Sequence, residues 1–308
     1  MDENQLIYPF YLVGNDFFWK PSDPEAYDLT KAAVLNPNAT RSISFNPYGE
    51  NADGNLSDVS WTWRVNVTDI ALPGVEMGHE TDAIPRLIAT THDFSWPDGG
   101  NISSQIGEDV PFCVKSGHFW SGFARNVTNA FTEDDASSTS CIPALGAACV
   151  SAILDDDMLE DDGCSLRSMG MDRWDRLPQC SRSLDYAEWA EGVDRGTLIP
   201  HGGDFNNKSG SNLSSNWELT SGQMFMYEQT GLYETGADEA DRAWKNASRA
   251  LQIVLMQTYA ETEEGRQKTS QLLCTRVDTG EYEGRAAAVS VSLGMVVVAT
   301  VLVMGLVM

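Results

Sequence analysis

An alternation of apolar and polar residues in the stretch VSWTWRVNVTD (Val59–Asp69) constrains the fold of this chain more than any other feature. A period of two residues predicts a β-strand with one buried face. Trp61 and Trp63 share that face with three valines, so we expect them in a core rather than on an exposed, sugar-stacking platform. Asn66 heads a glycosylation sequon on the opposite face, which we expect to meet solvent because a glycan needs room.

The first part of the chain, residues 1–130, is predicted to be β-rich. Further strands are expected at Arg41–Phe45, Leu87–Phe94 and Val110–Val114, separated by turn clusters such as NPYGENADGN and WPDGGN. Regular strands with this punctuation indicate an antiparallel sheet or sandwich. The predicted fold class is therefore α+β: an N-terminal antiparallel sheet, a disulfide-stapled helical region and a C-terminal membrane helix.

Residues 131–262 are predicted to be mainly helical and cysteine-rich. Pro143–Leu154 is apolar nearly all round and predicts a short buried helix. Leu184–Val193 predicts a second, and Asp238–Tyr259 a longer one with a single apolar stripe. The polar residues 263–285 are expected to form a stem that carries Cys274.

Eight N-x-S/T sequons are present, about three times the number expected by chance from the Asn, Ser and Thr content. This excess favours N-glycosylation in the secretory pathway. The candidate sites are Asn38, Asn55, Asn66, Asn101, Asn126, Asn207, Asn212 and Asn246.

The six cysteines contain no C-x-x-C pair and have no histidine at a zinc-binding distance in sequence. An even number in a chain rich in sequons predicts up to three disulfides, whose pairing the sequence leaves open. The cysteines are Cys113, Cys141, Cys149, Cys164, Cys180 and Cys274.

Residues 286–308 form an apolar run of 23 residues without a single charge. As a helix of ~1.5 Å per residue the run reaches ~34 Å, enough to cross a ~30 Å hydrocarbon core. It predicts either a spanning helix or a glycolipid (GPI) attachment signal with Gly284 as the attachment residue. The N-terminal residues 1–21 lack the features of a signal peptide, so we expect the natural start to precede them; the alternative is a cytosolic tail-anchored protein with silent sequons.

The net charge of −25 repels phosphate backbones, so we exclude nucleic acid as a partner. None of the four histidines forms a metal-binding motif, HGGD at 201–204 lacks a partner G-x-S-x-G elbow, and the acidic run Asp155–Asp162 departs from the calcium-loop pattern. We therefore expect no catalytic residue, no metal and no cofactor.

Four stretches, SWTWRVNVTDI, THDFSWPDGGNIS, NVTNAF and CIPALGAACVSAIL, together with the spaced cysteines that follow them, resemble uncharacterised fungal secreted or surface-anchored glycoproteins over most of residues 20–260. The resemblance implies a fungal surface or wall and supplies no catalytic residue.

The sequence thus predicts an extracellular, glycosylated domain over residues 1–285, attached to the cell membrane by residues 286–308. The expected function is non-enzymatic, in wall architecture, adhesion or ligand sensing, with a wall polysaccharide or another surface protein as partner. The alternative is a secreted or surface-held hydrolase of the glycosidase type, which needs two facing carboxylates and exposed aromatic rings.

Overall fold

The computed structural model describes residues 29, 32–33, 35–50, 52, 54–73, 84–107, 110, 112–117, 123–155, 159–160, 163–164, 174, 177–184, 219–229, 233–234, 238–262 and 265–283. Within them the strands are β1 (Ala39–Phe45), β2 (Trp61–Ala71), β3 (Pro85–Ser95), β4 (Phe112–Gly117), β5 (Leu159–Glu160), β6 (Gly163–Cys164), β7 (Met224–Gln229), β8 (Tyr233–Glu234), β9 (Gln252–Thr262) and β10 (Gly265–Thr275). The α-helices are α1 (Ser103–Ile106), α2 (Arg125–Ala130), α3 (Ile142–Leu145), α4 (Ala147–Leu154), α5 (Ser181–Leu184) and α6 (Asp238–Arg249).

The first sheet contains most of the strands predicted in the N-terminal part of the chain. Its order is β1-β2-β3-β7, with β8 also paired to β3, and every pairing is antiparallel. Three of the four predicted N-terminal strands, those that became β1 to β3, lie side by side in it. This arrangement confirms the α+β class with an antiparallel N-terminal sheet.

The second sheet has the order β10-β9-β4 and is also antiparallel. Its central strand β9 is buried along most of its length and sends alternate side chains to opposite faces. Val254 and Met256 point toward the first sheet, whereas Ile253 and Leu255 point the other way. The second sheet is therefore covered on both faces.

Between the two sheets lies a cluster that we call the aromatic core. It takes Trp61, Trp63, Phe94, Trp96 and Phe225 from the first sheet and the strand ends beside it, and Phe112, Val114, Val254, Met256 and Leu273 from the second. Helix α6 closes one side, with Ala243, Trp244 and Ala247 packed against the cluster.

On the far face of the second sheet lies a cluster that we call the stapled layer. It combines short helices with the outward side chains of the sheet, and its members include Val127, Phe131, Leu145, Cys149, Ile153, Cys180, Leu184, Ile253, Leu255, Leu272 and Cys274. The order of layers is thus sheet, aromatic core, sheet, stapled layer.

The predicted helix Asp238–Tyr259 is wrong in its second half. Helix α6 ends at Arg249 and the chain continues as strand β9. A strand buried on both faces has no polar alternation, so its apolar residues also fit a helical stripe. The described part of residues 131–262 therefore contains strands, β7 and β9 among them, beside its helices.

Two further predictions need correction. The predicted helix Pro143–Leu154 is two helices, α3 and α4, divided at Gly146, whose φ of +80° ends the first turn. Within the predicted stem 263–285, Gly265–Thr275 form strand β10 of the folded domain, paired along β9 over its whole length. Of the predicted helix Leu184–Val193, only Leu184, at the end of α5, lies within the described residues.

Candidate functional site

The tryptophan pair of strand β2 lies in the aromatic core. Trp61 and Trp63 are 1% and 0% exposed, and the Trp61 ring centroid lies 4.8 Å from that of Trp96 and 6.0 Å from that of Phe112. These rings cannot stack on a soluble sugar. The prediction of core packing for the pair is confirmed.

Asn66, on the other face of β2, was predicted to face solvent. The structure shows that it does not. The residue is only 6% exposed. Its amide nitrogen donates to Thr91 Oγ1 at 3.2 Å, and its amide oxygen accepts from Thr40 Oγ1 at 2.8 Å. A glycan would have to leave through this same nitrogen, so the folded arrangement disfavours a glycan at Asn66.

Asp93, on the neighbouring strand β3, completes a polar group that we call the Asp93 cluster (Thr40, Arg64, Asn66, Thr91 and Asp93). Its Oδ2 accepts from Arg64 Nε at 2.8 Å and from Asn66 Nδ2 at 3.5 Å. Its Oδ1 is buried without a hydrogen-bond partner. Desolvation by burial raises the pKa of Asp93, although the hydrogen bonds and charge of Arg64 act against this rise.

The Asp93 cluster sits beside an irregularity in the sheet. The pairing of β3 with β7 shifts register between His92 and Asp93, and such bulges re-aim a side chain. His92 itself points to the opposite face, between the rings of Trp63 and Phe225 in the aromatic core. The hydrogen-bond partners of Asp93 include no second carboxylate in the part of the chain that the structure describes. Within the cluster, Asp93 is thus the single carboxylate, and it is paired with the guanidinium of Arg64.

The other sequons lie in more open places. Asn38, Asn55, Asn101 and Asn126 are exposed, and Asn246 is half-buried. Asn38 already uses its side-chain oxygen to cap the backbone N–H of Asp69 at 2.8 Å, which leaves its amide nitrogen for modification. Asn207 and Asn212 lie outside the described residues.

Two disulfides are resolved in the stapled layer. Cys141 bonds to Cys274 across 133 residues, and Cys149 bonds to Cys180 across 31. All four sulfur-bearing residues are at most 1% exposed. Cys113 is disulfide-bonded as well; the remaining cysteine, Cys164, lies on strand β6, which contacts the strand of Cys113.

The segment after β10, residues 276–283, is held by a network that we call the tail clamp. Its centre is Arg276, which is 1% exposed. The guanidinium donates to the carbonyl oxygens of Arg249 at 2.7 Å and Phe131 at 2.8 Å, and also to those of Thr279 and Gly280. Burial lowers the pKa of Arg276 to about 10, so the group is charged at neutral pH.

Three ion pairs and an asparagine surround Arg276 in the tail clamp. They are Arg249–Asp278 at 2.8 Å, Arg125–Glu281 and Arg41–Glu133 at 2.9 Å. Asn129 on helix α2 makes two hydrogen bonds to the backbone of Tyr282, at 2.8 and 3.1 Å. The segment therefore packs against α2, the end of α6 and the turn after α2.

Two carboxyl groups of the tail clamp, Glu133 and Asp278, have lowered pKa values, which favours their charged forms. Hydrogen bonds from Arg41 and Thr279 lower the pKa of Glu133 to about 2. Burial acts to raise the pKa of Asp278, but hydrogen bonds from Arg249 and from the backbone N–H of Gly280 outweigh it, and the pKa is lowered.

Other candidate features fall partly or wholly beyond the described residues. In the described part of the chain no group of three His, Cys, Asp or Glu side chains is placed to hold a metal ion. His79, His118, His201, most of the acidic run after Asp155 and the attachment candidate Gly284 lie outside it. No helix of the described residues is long and apolar enough to cross a bilayer; residues 286–308 are not among them.

Sequence reasoning missed both polar networks. The four consecutive polar residues Thr90–Asp93 inside an otherwise apolar predicted strand were a usable signal for the Asp93 cluster. No local pattern points to Arg276, because two of its four carbonyl partners, those of Arg249 and Phe131, come from distant parts of the chain. In comparisons with protein-family models, curated proteins and solved structures, nothing matches this chain.

Proposed function

We propose that the protein is a non-enzymatic glycoprotein of the cell surface, disulfide-stapled, N-glycosylated and attached to the membrane through residues 286–308. Its role is structural or adhesive, in or beside a cell wall, or it senses a ligand there. The resemblance in sequence points to a fungal cell.

The observation that carries the proposal is the pair of buried disulfides in the stapled layer. Reducing compartments such as the cytosol keep thiols free, so a fold with disulfides built into its core belongs to an oxidising one. Cys141–Cys274 joins the start of helix α3 to the last strand of the second sheet. A cytosolic tail-anchored chain would have to form this layer without the bond.

The exposure of the sequons supports the same compartment. Four asparagines, Asn38, Asn55, Asn101 and Asn126, lie at the surface, three of them in or next to turns and one on a short helix. N-glycans are accepted at such positions without disturbing a core.

The alternative of a wall hydrolase receives less support. Its aromatic platform would need Trp61 and Trp63 exposed, and both are buried. The buried carboxylate Asp93 is paired with a guanidinium rather than with a second carboxylate.

The test is to express the full chain behind a supplied secretory signal peptide in a eukaryotic host and to treat it with an endoglycosidase. We expect the treatment to increase the gel mobility of the protein. The shift should be smaller by the contribution of one glycan in each of four single variants: Asn38→Gln, Asn55→Gln, Asn101→Gln and Asn126→Gln. Asn66→Gln is the matched control, because its buried amide should carry no glycan and its loss should leave the shift unchanged.

Two further measurements complete the test. Thiol alkylation without reductant should label no cysteine, and a phosphatidylinositol-specific phospholipase should release the protein if Gly284 carries a glycolipid but not if residues 286–308 span the bilayer. Free thiols together with the absence of an endoglycosidase shift would refute the proposal and favour the cytosolic alternative.

A further inference from the structure

The chain is fixed to within a few residues of its apolar C-terminal run. The tail clamp holds it up to Tyr282, which is 3% exposed. The side chain of Asn129 pairs with both the N–H and the carbonyl oxygen of Tyr282. The carbonyl oxygen of Glu281 accepts from Arg249 at 2.8 Å. A segment tied by backbone and side chain at successive residues cannot act as a loose tether.

The distance from this fixed point to the apolar run is short. Only Gly284 and Arg285 separate Glu283 from Ala286, the first residue of the run. A fully extended chain covers at most ~3.6 Å per residue, so this connection can reach no more than about 10 Å. The polar headgroup region on each side of the ~30 Å hydrocarbon core is only ~5–7 Å deep.

The charge of the clamp differs from that of the whole chain. Four cations, Arg41, Arg125, Arg249 and Arg276, are matched by four acids, Glu133, Asp278, Glu281 and Glu283, in a protein whose net charge is −25. Three of the cations are in ion pairs with three of these acids. Charges therefore balance within the clamp itself, whereas the neighbouring Asp134 and Asp135 add two acids to the same turn.

Helix α2 lies at the same place. Arg125 and Asn129 are four residues apart, share one side of the helix and hold Glu281 and Tyr282. The exposed Asn126 is turned about 100° away from that side, so a glycan there projects sideways.

We propose that the tail clamp and helix α2 form the membrane-facing surface of the domain and rest directly on a layer of zwitterionic phospholipid headgroups. This inference rests on the proposed membrane attachment through residues 286–308. The domain is then held in one orientation. The stapled layer, to which helix α2 contributes, lies near the membrane, and the turn around Asn55 lies farther from it.

The test uses the full chain in vesicles of a phosphatidylcholine that include a lipid with a nitroxide on its headgroup. A fluorophore is attached to Asn126→Cys or, as the matched control, to Asn55→Cys. Both are exposed asparagines of sequons. The turn of Asn55 is held by Asn46, just beyond the end of β1, whereas the clamp contacts Arg41 earlier in that strand. We expect quenching at position 126 several-fold stronger than at position 55.

A second variant carries an insertion of about ten Gly and Ser residues between Gly284 and Arg285, which adds up to ~30 Å of reach. Quenching at position 126 should then fall to the level seen at position 55. Equal quenching at the two positions in the parent chain, or no effect of the insertion, overturns the inference. A chain that does not float with the vesicles overturns the membrane attachment itself and the inference with it. Non-reducing gels confirm that each labelled variant has formed its native disulfides.

Discussion

The two faces of the second sheet are stabilised by different means. On one face the aromatic core joins two sheets through Trp61, Trp63, Phe94, Phe112 and Phe225, and none of its members within the described residues is a cysteine. On the other face the stapled layer packs helices of four to eight residues on the sheet, and two disulfides link this layer: one joins the residue before α3 to β10, and the other joins α4 to the residue before α5.

The two faces are stabilised differently because their secondary-structure elements differ in length. Isolated helices shorter than about 12 residues are marginal in water, and helix α4 buries only Cys149 and Ile153. Large aromatic side chains each remove about 150–250 Å² from water, so a sheet that carries several of them holds together by burial alone. Covalent links replace burial where the elements are too short to supply it.

The largest effect is expected for the disulfides. Removing Cys141–Cys274 as a double alanine variant should cost about 5 kcal/mol of unfolding free energy, and removing Cys149–Cys180 about 4 kcal/mol, because the longer loop of 133 residues against 31 leaves more entropy to the unfolded chain. Urea unfolding of the purified variants measures both values.

The same variants test the comparison itself. Hydrogen exchange in helices α3 to α5 should accelerate before exchange in strands β2 and β3. If the strands of the aromatic core lose protection first, the two faces are not independent in the way described.

In the aromatic core, Trp63→Ala should cost about 4 kcal/mol with all disulfides closed, since the site is fully buried and leaves a large cavity. Ile142→Ala in the stapled layer is the control, because Ile142 is 52% exposed and should change stability by less than about 0.5 kcal/mol. A loss below about 1 kcal/mol for Trp63→Ala would show that the core depends on the disulfides too.

In the Asp93 cluster, removing the cation should cost more stability than removing the anion. Arg64→Ala leaves the buried carboxylate without its cation and should cost about 2 kcal/mol at pH 7, discounted because Arg64 is 43% exposed. Asp93→Asn keeps the shape and frees a guanidinium that water can reach, so its cost should be below about 1 kcal/mol. Equal costs in thermal unfolding would contradict this account.

The raised pKa of Asp93 also predicts how folding stability changes with pH. The folded state binds the proton more readily than the unfolded state, so this group favours folding as the pH falls through its raised pKa, and Asp93→Asn should remove that gain.

The smallest effect is expected at the tail clamp. There, unlike at Asp93, a fall in pH destabilises the folded state. The pKa of Glu133 falls from 4.5 to about 2 on folding, so its contribution is fully present above pH 4.5 and is lost as the pH falls toward 2. Protease cleavage within residues 276–283 should therefore increase over this interval. Glu133→Gln should show less of this pH dependence, and a variant as pH-dependent as the parent would exclude Glu133 as the cause.

Several parts of the fold could be predicted from local patterns. The strands Arg41–Phe45 and Leu87–Phe94 were placed to within two residues of β1 and β3 at each end. The inward side of β2 was identified from alternation alone, because neighbouring side chains of a strand must point to opposite faces. Prediction was wrong for β9, because burial on both faces hides its two-residue period, and for β10, which pairs with β9 directly before it in the chain.

The sequence by itself determined that Trp61 and Trp63 share a face, that six cysteines accompany eight sequons, and that the chain carries an uncharged run of 23 residues. Only the tertiary structure decided that Asn66 is buried, that Cys141 pairs with Cys274 and that Arg276 organises the last described segment. The alternation of apolar and polar residues indicates that the two faces of a strand differ. Whether the second face meets water depends on side chains and backbone that come from far along the chain, and local sequence does not contain that information.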